Sequence, residues 1–168
     1  IWSIRAPMSM LGTNISTQMT IVRLPDQSLI LISPINITDL LKSEISTLGK
    51  VAFIISPNTF HHLFASQCQA NFKDANYLRP ATLADRIKNL PAGSDLYAVD
   101  NEIWQGQLET RRISQSHMAD EMVFFHPESK SLVITDLIQY SDGDLSLAGK
   151  VFAFITGTLR KPAISRLY

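Results

Sequence analysis

Residues 51–64 read VAFIISPNTFHHLF, and this stretch decides how the rest of the chain is arranged. VAFII is an unbroken apolar run rich in β-branched residues, the pattern of a strand buried on both faces. Ser56, Pro57 and Asn58 end it with turn chemistry. His61 and His62 follow at once, ahead of an apolar segment that can begin a helix. The space just past the carboxyl ends of such strands is where α/β proteins hold ligands and catalytic groups. Both histidines lie in that position.

Upstream, residues 28–33 (SLILIS) form a second apolar strand. Between the two strands, Ile37, Leu40, Leu41, Ile45 and Leu48 recur at helical spacing. The spacing predicts a helix over 37–48, with Asn36 to cap its start and Gly49 to end it. Strand, helix and strand make a right-handed βαβ unit with a parallel strand pair. Residues 1–6 and 18–24 (QMTIVRL) are two further strands, the latter joined to 28–33 by a Pro-Asp-Gln turn. Downstream, the pattern predicts a helix over 61–72, a short strand at 77–78 and a helix over 81–89 with Pro80 at its first turn. Strands are expected at 95–99 and 102–108. Residues 120–126 (DEMVFFH) and 131–136 (SLVITD) flank a turn at 127–130 and make the clearest hairpin. A helix over 145–156 and an arm complete the chain.

With 168 residues the chain suits one domain, 1–168, with a real core. Hydrophobic residues at 45% against 18% charged exclude a disordered chain. Fifteen basic residues balance fifteen acidic ones, so there is no broad electrostatic footprint for nucleic acid or anionic lipid. No apolar run approaches the roughly 18 residues that span a bilayer. Neither nucleic acid nor membrane is therefore an expected partner. The one cysteine, Cys68, rules out an intramolecular disulfide and favours a reducing, cytoplasmic setting. Its own reading is a small buried hydrophobe.

The hairpin carries a geometric argument. With the turn at 127–130, His126 pairs with Ser131, and counting back sets Glu121 opposite Asp136. His117 lies just beyond Glu121. Asp136 and the His61-His62 pair each directly follow a hydrophobic strand, so parallel strands would bring them to one rim. Imidazole and carboxylate together suit zinc, which they bind at about 2.0–2.2 Å. A metal with an open position lowers the pKa of its bound water to about 7.

Each residue also has a plainer reading. His62 can hydrogen-bond the helix start, His61 can be an exposed first-turn residue, and Asp136 can end its strand as a cap. Glu121 can be a ligand, a base or a surface strand residue. His126 reads as structural, and Asn58 and Thr59 as helix caps. Nucleophilic catalysis has little support, because there is no Gly-x-Ser-x-Gly elbow and Cys68 has no histidine at a recognisable spacing. Phosphate-binding and dinucleotide glycine motifs are absent too.

SPNTFHHLF, DEMVFFHPESKSLVITDLI and the opening IWSIRAP with MTIVRL resemble an uncharacterised branch of the metallo-β-lactamase superfamily. That branch carries Asn-x-x-His-His-x-Phe in place of the metal motif His-x-His-x-Asp-His. The resemblance runs to about Asp136 and implies a four-layer αββα sandwich within a mixed α/β class. The chain is short for that fold, so its final strand–helix section, with a histidine, is expected to be missing by truncation or divergence. In the resemblance, His62 takes the place of the motif's last histidine and His61 that of its aspartate. Pro57 and Thr59 take the places of the first two histidines and cannot serve as ordinary ligands. A later family histidine falls on His117 and the bridging aspartate on Asp136, while no histidine follows His126.

The resemblance thus implies His61, His62, His117 and Asp136 as candidate ligands for one zinc, iron or manganese ion. Two functions stay open. One is an altered or vestigial site with at most weak hydrolase activity, its pocket binding a small molecule or a partner protein. The other is an active mononuclear hydrolase, whose metal-bound water attacks an ester, amide or related bond. Self-association into a homo-oligomer is a further expectation, because a short tail would leave an apolar face to cover.

Overall fold

The computed structural model describes residues 1–10, 13–114, 120–140, 146–160 and 162–164. Strand β1 (Trp2–Met10) runs antiparallel to β2 (Thr13–Arg23), which pairs antiparallel with β3 (Leu29–Ile32). Asp26 sets the turn between the last two, its carboxylate accepting the Ser28 N–H at 2.9 Å and the Ser28 hydroxyl at 2.7 Å. Helix α1 (Asp39–Leu48) then crosses to β4 (Val51–Ile55), which lies parallel to β3. This is the βαβ unit that the apolar spacing predicts. Gly49 closes the helix at φ +154, where an added Cβ would stand 2.0 Å from the Gln27 carbonyl oxygen.

Helix α2 (Ala65–Asn71), β5 (Asn76–Arg79), α3 (Ala81–Arg86) and β6 (Ser94–Asp95) follow. Strands β5 and β6 continue the parallel half, so the first sheet runs in sequence order from β1 to β6. A second, antiparallel sheet is made of β7 (Glu109–Ser114), β8 (Asp120–His126) and β9 (Ser131–Val133). Beyond it, β10 (Ile138–Gln139) pairs with β11 (Ala163–Ile164), and α4 (Leu147–Thr156) lies between them in the chain.

Alternation of side chains along the strands sorts the core into two layers. Met19, Ile21, Leu29, Leu31 and Ile54 face the helices, packing with Ile45 of α1 and Cys68 of α2. Their neighbours Val22, Ile30, Ile32, Ile55 and Leu78 face the other way, onto Met122, Phe124 and Val133 of the second sheet. Trp104 fills this inter-sheet layer and meets Phe53 edge-on, with ring centroids 5.5 Å apart. Burying each such large side chain stabilises the fold by about 1.5–3 kcal/mol. Strand β3 is buried along its whole length, which is why SLILIS shows no polar alternation. Helices, sheet and second sheet stack as an α/β sandwich.

Several boundaries differ from the sequence expectation. Thr38, not Asn36, caps α1, its hydroxyl accepting the Leu41 N–H at 3.2 Å. Ile37 sinks into the core instead, its backbone N–H and C=O both held by the Gln67 side chain. Helix α2 starts at Ala65 rather than 61, because the Asn58 carbonyl oxygen takes the N–H groups of Phe60 and His61 into a turn. The strand expected at 102–108 is a 3₁₀ turn over Asn101–Trp104, capped by Asp100, and the strand comes later as β7. At 95–99 the strand is only two residues, ending in a 3₁₀ turn over Leu96–Ala98. Helix α3 stops at Arg86.

Candidate functional site

The hairpin registers as the turn predicts, with His126 paired to Ser131. Strand β9 stops at Val133, however, and residues 134–136 leave the ladder. Glu121 collects the backbone donors this frees. Its Oε1 accepts the Thr135 N–H at 2.6 Å, and its Oε2 accepts the N–H groups of Asp136 and Leu137 at 2.8 and 3.1 Å. Glu121 is fully buried, so it is no surface strand residue. The predicted Glu121–Asp136 proximity is real, but it runs through a side chain and not through strand pairing.

Asn58 ties this hairpin to the end of β4. Met122 N–H donates to the Pro57 carbonyl at 2.9 Å, and Asn58 and Glu121 form an isolated antiparallel bridge. The Asn58 amide nitrogen lies 2.8 Å from Asp136 Oδ2, 3.0 Å from Thr135 Oγ1 and 3.3 Å from Glu121 Oε2. Asn58 therefore does more than cap, although its carbonyl oxygen also holds the following turn. Like Glu121 it is fully buried.

His61 enters the same cluster. Its Nε2 stands 3.3 Å from Asp136 Oδ2, and its Nδ1 2.6 Å from the hydroxyl of Ser33. An ionised carboxylate only accepts, so Nε2 carries a proton toward Asp136 and the neutral ring takes the Ser33 O–H at Nδ1. Burial works against charge on His61. The hydrogen bond and charge of Asp136, with the charge of Glu121, outweigh it and raise the pKa above the ordinary value. Burial likewise pushes the Asp136 carboxyl up, but His61, Asn58 and Gln139 together bring it below the usual range. Each group thus favours the charged form of the other: the pair is an ion pair while His61 is protonated and a hydrogen bond from the neutral ring once Nδ1 gives up its proton, with each side chain about a fifth exposed.

His62 points elsewhere: its Nδ1 lies 2.8 Å from the Thr59 carbonyl. His117 lies outside the described residues. His126 is buried and bonded within its own turn, to the N–H and hydroxyl of Ser129, a structural role as expected. Cys68 is buried and its thiol pushed up to about 12 by that burial, which leaves it inert at neutral pH. Sequence reasoning missed Ser33. The one local signal is its place at the carboxyl end of a buried strand.

The described residues do not fit a metal ion. No group of three or more His, Cys, Asp or Glu side chains among them is placed to share one. The chemistry of the cluster agrees: an Asn58 N–H lies against Asp136 Oδ2, and backbone N–H groups engage both Glu121 oxygens. These donors hold lone pairs that a cation would need.

Comparison with solved structures places this sandwich among the metallo-β-lactamase folds. A metallo-β-lactamase from Pontibacter korlensis superposes with a TM-score of 0.64 at 16% identity, covering 94% of this chain and 84% of its own. The metallo-β-lactamase IND-7 gives 0.59 at 10% identity over 98% of this chain and 86% of its own. TMB-1 gives 0.64 at 18% identity, over 84% of this chain and 67% of its own. At such identities the likeness shows the fold alone, and that fold is the one the resemblance implied. The family model described as Domain of unknown function (DUF4336) matches residues 1–145, and the chain belongs to that family. No curated protein matches it. Among the described residues, no helix is long and apolar enough to cross a membrane.

Proposed function

We propose that this chain is a metallo-β-lactamase-fold protein in which a hydrogen-bonded cluster of Asn58, His61, Glu121 and Asp136 replaces the metal centre. On this reading hydrolase activity is at most weak, the site takes a small-molecule ligand, and the setting is cytoplasmic. The observation that carries it is the Asn58 N–H set 2.8 Å from Asp136 Oδ2, where a cation would otherwise take the carboxylate. The motif supports it as well, since Pro57 and Thr59 stand where two ligands are wanted.

One observation favours the alternative, a mononuclear hydrolase using His61, His62, His117 and Asp136. Nδ1 of His62 meets the Thr59 carbonyl, the arrangement that leaves Nε2 with its lone pair outward, as in metal-ligating histidines. Elemental analysis of protein purified without chelator separates the two, followed by zinc titration and comparison with His62→Ala and Asp136→Ala. The expected result is substoichiometric metal and no rise in melting temperature with zinc. About one zinc, iron or manganese ion per chain, lost in both variants, would establish the alternative.

A further inference from the structure

Three residues from distant parts of the chain line up at the ends of the strands. Ser33 follows the last residue of β3, His61 follows β4 and Asp136 follows β9. The Ser33 hydroxyl is 2.6 Å from one imidazole nitrogen, and the other nitrogen is 3.3 Å from the aspartate. We propose that Ser33, His61 and Asp136 form a serine nucleophile, general base and orienting carboxylate that cleave small carboxylic esters without a metal.

The roles follow from who can donate to whom. Asp136 accepts from His61, Asn58 and Gln139, so it stays ionised and fixes the ring with Nε2–H toward itself. Nδ1 is then left as the base facing the Ser33 O–H. The ring uses its nitrogens in the opposite sense to the usual serine hydrolase triad, but both can carry the proton. Ser33 holds φ +60, a left-handed conformation that costs a non-glycine residue about 1–2 kcal/mol, while its N–H is bonded to the Ile55 carbonyl. Strained non-glycine backbone of this kind clusters at functional sites.

The chemistry balances within these groups. Ser33 Oγ bonds to the ester carbonyl carbon as its proton passes to His61 Nδ1, and Asp136 stabilises the imidazolium. The bond to the leaving alkoxide breaks as Nδ1 returns the proton to it. Water then attacks the acyl carbon as Nδ1 takes its proton, the acyl–Oγ bond breaks as that proton returns to Ser33, and the acid is released. Ser33 is 2% exposed, so the acyl group must be small, acetyl in size, with the leaving group on the side where His61 reaches solvent. The described residues assign no oxyanion donor, an omission worth about 10²–10³ in rate, so the activity is slow and favours activated esters.

This inference rests on the metal-free reading of the cluster, and its test keeps the two apart. The full chain in chelator is treated with p-nitrophenyl acetate and quenched in acid, and adducts are mapped by peptide mass spectrometry. One adduct on Ser33 is expected. Ser33→Gly suits the left-handed backbone, keeps the fold by circular dichroism and loses the adduct. His61→Gln slows labelling by about 10²-fold or more. A folded wild-type chain with no adduct at Ser33, or labelling unchanged in His61→Gln, overturns the proposal. The direct mapping decides even if a variant does not fold. Zinc that binds and blocks labelling would overturn the metal-free reading, while labelling in chelator still judges the triad.

Discussion

Glu121 and Asp136 meet through the backbone: Oε2 of Glu121 accepts the Asp136 N–H at 2.8 Å. One buried carboxylate thereby positions another. It fixes the segment that leaves β9, and so aims the Asp136 side chain at His61 and Asn58. Two acidic groups share the site without facing each other, because Glu121 spends its charge on N–H dipoles and Asp136 on an imidazole.

Removing that anchor should be costly. Glu121→Ala leaves three half-buried backbone N–H groups without their acceptor, and a stability loss of about 2–4 kcal/mol is expected. Glu121→Gln turns an amide N–H toward those donors and should lose about half as much. Urea unfolding followed by tryptophan fluorescence measures both. Equal stability of Glu121→Ala and wild type would show that residues 134–136 do not depend on this carboxylate.

Asn58 links both sheets, and its replacement should separate packing from charge. Asn58→Leu keeps the volume but removes the donor to Asp136 and the acceptor for Phe60 and His61, for a loss of about 2–4 kcal/mol. Asn58→Asp sets a third carboxylate against two and should destabilise further at pH 7 than at pH 4. The same melting temperature for Asn58→Asp at both values would contradict this placement.

The His61–Asp136 pair predicts a window of pH. His61 has its pKa raised from 6.5, so its contribution is full below that value and is lost as pH climbs through the folded-state pKa. Asp136 has its pKa lowered from 3.8, so its contribution is present above that value and is lost as pH falls through its folded-state pKa. The stability gap between wild type and His61→Gln should therefore be widest between pH 3.8 and 6.5 and narrow on both sides. Thermal melts across pH give that gap, and a gap independent of pH would mean that the pair is not ionised.

Gly49 has a role in the fold alone. Gly49→Ala drives a methyl group onto the Gln27 carbonyl and forces an alanine to φ +154. A loss of about 2–4 kcal/mol is expected, or a fall of about 2–4 °C in melting temperature per kcal/mol. An unchanged melting temperature would mean that the α1–β4 connection relaxes freely.

Much of the fold was legible because it depends on neighbours in the chain. The unbroken apolar runs of β3 and β4, the helical spacing of α1 and the turn chemistry before Ser131 each gave the right element. The failures sit where a distant group intervened. Gln67 pulls Ile37 out of the helix, the Asn58 side chain delays α2, and Asp100 caps a turn where a strand is expected from the sequence. Of the candidate ligands, His61 and Asp136 come together, while the adjacent His62 turns to the Thr59 carbonyl. Successive residues leave a turn in different directions, so adjacency in sequence did not make a shared site.

What the sequence by itself determined is the set of surfaces that must be buried: strand faces with a period of two, a helix stripe with a period of 3.6, and a strand–helix–strand order that demands a parallel pair. These are local properties, readable within a dozen residues. Only the tertiary structure decided the chemistry. Ser33 meets His61 across 28 residues and Asn58 meets Asp136 across 78. Whether such groups touch depends on sheet register and on the backbone angles at which each strand ends, and hydrogen bonds of 2.6–2.8 Å tolerate little error in either.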